Sequence, residues 1–477
     1  MKTKVLNHSD KVKGICFQVK NFIGPEACDD LIRHSEELGF VTADDKYPLS
    51  YRTNKRCWEN NETLATQLWN QLFKIRERNP EGNLSQALTG AVGLNPRLRY
   101  CRYDNTEQFH IHRDGRYYRS NNEFSKLTFL LYLSDSKEYQ GGYTRFFSDN
   151  DQDSEIFRVK GCRGDLLIFD HTLWHEGSAI SQGCKYILRS DVLFTADSET
   201  SSGGHHLGYI WALTQDNDYL ISGGRDKTIK VWDKSQRLIQ TIEAHDASVL
   251  SLAVKKGRLF SASRDSCIAS FNKVAGGFQM DKKIQTQHRT VLTLDVELEI
   301  GVISGGADGV IRLWDEELGL IDQVEAHDGW CWQVIAIGND KFLSVGSDGC
   351  IRSWTIADDK ILPAISWKVS DSALRAACSD SDSIWVANEK GEIIHLNLSE
   401  KVIRSKRSIH KGIVRSLRYH DGSLFSCGED GKVFQFNTAD GDRFYLNSHN
   451  DFATSIALSG PLIITGGYDG RLRTVLR

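Results

Sequence analysis

What the chain lacks narrows the field before any motif is read. Nowhere in its 477 residues do about 18 consecutive apolar residues occur, so no spanning helix is expected. The N-terminal stretch MKTKVLNHSDKVKGICFQ has no apolar run of the kind that makes a secretory h-region. An excess of one charge sign is missing too: 59 Lys and Arg stand against 63 Asp and Glu, a formal net charge of −4. Without a basic surplus, nucleic acid and anionic membrane are poor partners. The eleven cysteines (16, 28, 57, 101, 162, 184, 267, 331, 350, 378 and 427) include no Cys-x-x-Cys pair. An odd, scattered set fits reduced thiols and not a disulfide framework or zinc site. These absences together point to a cytoplasmic protein.

What is present is ordinary globular material in two dialects. The length calls for two or three domains, and 40% hydrophobic with 26% charged residues is a typical globular mixture. Residues 1–195 mix helices with strands. A helix is expected to open at Gly24-Pro25-Glu26, with proline in the first turn. A second is expected over Asn60–Arg78, where Leu64, Leu68, Trp69, Leu72 and Ile75 keep helical spacing with Phe73 beside them. From Arg97 the runs RLRYCRY, KLTFLLYLS, TRFFS, DLLIFD and KYILRSDVLF read as strands. Helices leading into about eight short strands predict an α+β domain built on a jelly roll. Ala196–Gly204, ADSETSSGG, reads as a linker.

Residues 205–477 repeat. Asp226, Asp265, Asp308, Asp348, Glu389, Asp430 and Asp469 recur at intervals of 39 to 43 residues, each inside a phrase such as VISGGADGVIRLWD. A histidine precedes most units: His205 or His206, then His245, His288, His327, His410 and His449, while the fifth unit has Asp371 nearby. Self-similarity at this period marks a propeller. The phrase resembles the WD-repeat family over about 270 residues. The resemblance implies hydrogen-bonded sets such as His288–Ser304–Asp308–Trp314 and His327–Ser344–Asp348–Trp354, and so assigns these His and Asp residues to scaffolding and not to metal binding. An all-β seven-bladed propeller is expected. Its last unit stops after three strands at Arg477, and the linker has poor strand propensity, so the seventh blade is expected to be three-stranded or only weakly closed.

The residues with chemistry lie in the first half. His112 and Asp114 stand in Phe109-His-Ile-His-Arg-Asp-Gly115, and His175 follows in Leu173-Trp-His-Glu-Gly177. On a strand, residues i and i+2 face one side, so His112 and Asp114 reach one ion together. Two imidazoles and one carboxylate on one face of a metal leave three adjacent positions open, an arrangement that suits Fe(II). His8-Ser9-Asp10 and His449-Asn450-Asp451 share the spacing but not the company.

That company is an ordered string: Tyr103, then His112/Asp114, Leu127–Leu133, Gly141–Phe146, Gly164–Phe169, His175–Gly177 and Lys185. Over about residues 14–195 it resembles the 2-oxoglutarate oxygenases of the prolyl 4-hydroxylase type. The resemblance implies His112, Asp114 and His175 as the ligands of Fe(II). It implies Lys185 as the partner of the distal carboxylate of 2-oxoglutarate, with Arg189 as runner-up or as a partner for Asp191. Tyr103, Tyr132 and Thr144 are implied as hydroxyl donors and His110 as an outer neighbour of the metal. O2 and 2-oxoglutarate are then consumed, ascorbate is an accessory, and a C–H bond is hydroxylated. Asp114 occupies the position that is Gly or Ala in related halogenases, so hydroxylation is the expected outcome.

The substrate is less legible. Arg116, Tyr117, Tyr118 and Arg119 either present planar donors and rings to a peptide or form a solvated loop. Trp330 and Trp332, with Tyr209 and Trp211, are candidate contacts on a propeller face or else packing between blades. A propeller beside an oxygenase suggests a protein or peptide substrate, prolyl by resemblance, held by avidity. The alternatives are an oxygenase for a free amino acid or small peptide with the propeller serving assembly, and a non-catalytic scaffold. Oligomeric state is not readable.

Overall fold

The computed structural model describes residues 3–42, 53–104, 106–117, 119, 123–149, 151–195, 205–297, 301–338, 340–380, 383–438, 442–449 and 451–476. Two compact units emerge, Met1–Ser202 and Gly203–Arg477.

The first unit runs β1 (Lys4–Asn7), α1 (Ser9–Val12), β2 (Cys16–Lys20), α2 (Pro25–Leu38), β3 (Lys55–Asn60), α3 (Glu62–Glu77), α4 (Asn83–Ala87), β4 (Ala91–Leu94), β5 (Arg97–Asp104), β6 (Phe109–His112), β7 (Glu123–Tyr132), β8 (Tyr139–Gly141), β9 (Thr144–Phe147), β10 (Glu155–Val159), β11 (Leu166–Asp170), β12 (Trp174–Gly177) and β13 (Ile180–Thr195). Both expected helices form. Pro25 fills the first turn of α2 after Gly24, and α3 starts two residues later than its pattern suggests because Asn61 caps it, accepting from the Leu64 amide at 2.9 Å.

The strands pair as a nine-stranded sheet in the order β1-β2-β11-β7-β13-β5-β3, with β4 and β8 also on β13, and as a four-stranded sheet β10-β9-β12-β6. Alternation along the strands gives the large sheet two jobs. Leu127, Phe129, Leu131 and Leu188 turn to one face, where Leu68 and Leu72 of α3 and Cys28 of α2 cover them. Leu130, Tyr132, Ile187 and Tyr103 turn to the other, where they pack with Phe109 of β6 and Phe146 of β9 from the small sheet. The space between the sheets is therefore lined by β5, β7 and β13 on one side and by β6 and β12 on the other. This is the predicted jelly roll.

The second unit is seven antiparallel sheets, six of four strands and a last one that is three-stranded among the described residues: Ala453–Ser459, Leu462–Gly467 and Leu472–Leu476. The expected side-chain sets form. In the third blade His288 Nδ1 meets Asp308 at 2.9 Å, its Nε2 meets Ser304 Oγ at 3.0 Å, and the Trp314 indole N–H donates to the same Oγ at 2.8 Å. The fourth blade repeats this with His327, Asp348, Ser344 and Trp354. In the first blade His206, not His205, holds Asp226 and Ser222. The ring closes where Ile210, Leu213 and Trp232 of the first blade pack with Ala457 and Ile464 of the seventh.

The fifth blade corrects the expected register. Gly391 adopts a φ of +81°, matching Gly309 and Gly349 at +73°, and each directly follows the turn acid position. That position is therefore Lys390, and Glu389 sits one residue earlier. The place of the blade histidine is taken by Ser370, whose amide bonds the Gly349 carbonyl as the His327 amide bonds Gly309. Asn388 replaces the turn acid in function: its Oδ1 accepts from the amides of Lys390 and Glu392, both at 3.0 Å.

Candidate metal centre and cosubstrate pocket

His112 ends β6 and His175 lies on β12, directly opposite each other in register. Asp114 follows two residues after His112, its amide anchored on the His171 carbonyl at 3.0 Å. One ligand atom from each of the three lies within 4.8 Å of the others, and all three residues are buried. Asp114 Oδ1 is 3.6 Å from His112 Nε2, and Oδ2 is 3.5 Å from His175 Nε2. Each imidazole donates its Nδ1–H to the carbonyl two residues before it, His112 to His110 at 2.7 Å and His175 to Leu173 at 2.9 Å. This leaves both Nε2 lone pairs turned toward Asp114.

Electrostatics keep the group in metal-ready form. Burial, then the neighbouring His175, pushes the His112 imidazole down to about 3, and burial likewise lowers His175. Burial pushes the Asp114 carboxyl up, but Arg189 and the two histidines outweigh it and hold the group well below the usual carboxylate range. Two neutral imidazoles and one carboxylate are the donor set a divalent iron takes, so the residues fit the ion.

The pocket beside them is lined by residues including Tyr103, Thr128, Thr144, Lys185 and Arg189. Lys185 is 2% exposed, and its ammonium donates to the Gly142 carbonyl at 2.7 Å. No carboxylate pairs with it among the described residues, and burial pushes its pKa down to about 7. The ammonium stands 5.2 Å from the Tyr103 ring centroid and 5.5 Å from that of Tyr132. Tyr132 hydrogen-bonds Thr144 at 2.7 Å. Four of the five predicted polar residues, Tyr103, Thr144, Lys185 and Arg189, thus line one pocket with Tyr132 bonded to it through Thr144, but Arg189 has a different post: its guanidinium contacts Asp114 and lies 3.8 Å from Asp191. A Cβ at Gly161 would strike the Tyr132 ring at 2.1 Å, so the glycine is what lets that ring lie flat on the chain.

Thr128 was not singled out by its sequence, yet its hydroxyl donates to Asp114 Oδ2 at 2.5 Å. The available signal was its place four residues before Tyr132, on the same strand face. His110 contributes its carbonyl to His112, and its ring meets Gln108 at 3.1 Å. In the loop after Asp114, Arg116 lies over Phe124 and Arg119 pairs with Glu123 at 3.5 Å, while Tyr118 is outside the described residues. In the propeller, Tyr209 stacks on Tyr468 with centroids 3.6 Å apart, and Arg375 lies 3.2 Å over the centre of Trp332 while bonding Glu389. Trp330 and Tyr209 are buried, whereas Trp211 and Trp332 are half-buried.

Comparison with known families agrees with this architecture. The family described as "2OG-Fe(II) oxygenase superfamily" matches residues 98–190, and "WD domain, G-beta repeat" matches 198–233. F-box/WD repeat-containing protein 9 of Homo sapiens is 22% identical over 276 residues, 54% of this chain and 58% of that protein. The p21-activated protein kinase-interacting protein 1-like of Xenopus laevis is 28% identical over 221 residues, 36% of this chain and 61% of its own length. The chain thus spans under two thirds of these relatives. The crystal structure of the WD40 β-propeller domain of Doa1 superimposes with a TM-score of 0.50 at 20% identity, covering 57% of this chain and 93% of that one. The chain therefore carries a 2OG-Fe(II) oxygenase superfamily domain followed by a WD-repeat domain.

Proposed function

We propose that the first unit is a 2-oxoglutarate- and O2-dependent hydroxylase acting on a protein or peptide, and that the propeller recruits that substrate. The observation that carries this is an iron-type donor set sharing one pocket with a buried ammonium that, among the described residues, has no carboxylate partner and stands on the opposite wall. Fe(II) bound there would supply oxidative decarboxylation of 2-oxoglutarate coupled to C–H hydroxylation. His112, Asp114 and His175 hold the ion. Lys185 binds the distal carboxylate in a site stripped of water, where a charge pair has its greatest leverage. Tyr103, Tyr132 and Thr144 supply hydroxyl groups around that carboxylate. The interdigitated Phe109, Phe146 and Phe169 exclude water from the metal side.

A prolyl target is the reading favoured by the ordered string of motifs. A protein target is favoured by the second domain, since WD propellers bind proteins on their faces, and the half-buried Trp211 and Trp332 with Arg375 are the aromatic and guanidinium groups that interfaces enrich. The scattered cysteines, none of them in a disulfide, favour a cytoplasmic setting, and among the described residues no helix is long and apolar enough to cross a membrane. The test is an anaerobic titration of the full chain with Fe(II) and 2-oxoglutarate, followed by aerobic mass spectrometry of captured proteins. A gain of one oxygen on a bound protein is expected. Turnover of 2-oxoglutarate on free amino acids alone would overturn the protein-substrate reading, and no Fe(II)-dependent binding of 2-oxoglutarate would overturn the enzyme.

A further inference from the structure

We infer that Arg189 and Thr128 are positioning residues that hold the metal-binding carboxylate of Asp114 at both oxygens, an inference that rests on the proposed metal centre. Thr128 of β7 donates its hydroxyl to Oδ2, and the Arg189 guanidinium of β13 contacts Oδ1. The two strands are in register, Asp191 opposite Thr128 and Arg189 opposite Leu130. Thr128 and Arg189 are thus diagonal neighbours on the face that looks at Asp114. With the Asp114 amide tied to His171, the residue is held at three points, two of them on its carboxylate. A side chain with two free torsions has little freedom left to swing.

Arg189 is itself fixed from behind. Asp191 lies 3.8 Å from its guanidinium and is in turn bound by Arg99 and by Asn95 Nδ2 at 3.0 Å. Asn95 closes the loop, its amide bonding the Asp191 carbonyl at 2.8 Å and its own carbonyl accepting from Ser190 Oγ at 2.7 Å. Stability alone does not account for this chain of buried charges, because well-packed apolar groups commonly match or exceed a buried ion pair. A carboxylate that must stay ionised and aimed does account for it. The two histidines receive the equivalent support from the carbonyls two residues before them. Every member of the proposed donor set thus has an outer partner, as metal ligands generally require. Arg189 is thereby removed from the competition for the distal carboxylate of the cosubstrate, which is left to Lys185.

The experiment measures Co(II) binding to the full-length chain, by titration and by the visible spectrum of the bound ion, for the wild type and for Arg189→Met, Arg189→Lys and Thr128→Val. Arg189→Met and Thr128→Val are expected to weaken Co(II) binding by about 10- to 100-fold each and to alter the spectrum, since loss of an outer partner costs that much affinity. Arg189→Lys should recover part of the loss by restoring one donor to Oδ1. Thr128→Val leaves all the ion pairs in place, so it decides the matter if Arg189→Met fails to fold. Affinity within twofold of wild type in folded Thr128→Val and Arg189→Met, or tighter binding in either, would overturn the inference while leaving the metal centre standing. A wild-type chain that binds no Co(II) or Fe(II) overturns the centre itself and this inference with it.

Discussion

An ammonium group sealed from water without an acid beside it is an uncommon state for lysine, and Lys185 is in that state. Its pKa is pushed down to about 7 by burial, so above that pH the empty pocket holds a neutral amine. A carboxylate needs the charged form. Binding of 2-oxoglutarate above pH 7 must then take up a proton, and its Kd should weaken by up to about tenfold per pH unit there and level off below. Calorimetry in buffers of differing ionisation enthalpy reads that proton directly; an affinity flat from pH 6 to 9 would exclude the mechanism. The sign for the empty chain follows from the same shift. A base whose folded pKa lies below its unfolded value costs stability as pH falls toward 7. Lys185→Met should accordingly lose 2-oxoglutarate affinity by about a hundredfold or more, the cost of removing one partner of a buried charge pair, while the empty variant melts no lower than wild type. Loss of both binding and thermal midpoint would mean that Lys185 is structural. Much of this site was legible in sequence because iron chemistry fixes residue types and strand geometry fixes the i, i+2 spacing. The partnership of Thr128 and Arg189 with Asp114 was not, since it depends on which residue of β7 stands opposite Asp191, a register no local pattern encodes.

At the level of elements, the seven-unit repeat was readable because each blade restates one phrase, and it was misread where a blade abandons it. Glu389 is the acid nearest the fifth turn and so attracted the assignment, but backbone handedness, not charge, sets the register. In the fifth turn Gly391 takes the positive φ that follows the acid position in every such turn, as Lys227 and Ser266 do in the first two blades. The acid thus released pairs with Arg375 at 3.2 Å. The corrected register is testable by denaturant unfolding. Asp348→Ala breaks a half-buried network with His327, Arg352 and two backbone amides and should cost about 1–3 kcal/mol. Lys390→Ala, at the equivalent position of the fifth blade, should fall within about 0.5 kcal/mol of wild type. Equal costs would restore the original register. The three-stranded last sheet was also foreseen, from the early stop of the repeat. Its third strand is half-exposed from Leu472 to Val475, with Leu476 70% exposed, whereas the third strand of the third blade, Val310–Trp314, is almost wholly buried. Amide hydrogens of Leu472–Leu476 should therefore exchange markedly faster than those of Val310–Trp314, as hydrogen-exchange mass spectrometry would register. Equal protection would mean that another strand covers that edge.

For the whole molecule, the separate cores of the two units predict two calorimetric transitions. Co(II) should raise only one of them, and at about a hundred times its Kd the gain should be about 2.7 kcal/mol for that unit. A single transition, or both moving together, would show that the units unfold as one. The edge that the strand Leu472–Leu476 presents among the described residues also bears on how crowded copies of this protein behave. Unpaired strand edges invite a second chain to extend the sheet, and natural proteins discourage this with cationic side chains placed along the edge. Arg471 just before that strand and Arg473 on it flank Leu472, the first exposed and the second tied to Asp469 at 3.2 Å. Two like edges brought together antiparallel would set guanidinium against guanidinium. An edge left uncovered among the described residues is thus guarded against such pairing by charge repulsion, which salt would screen.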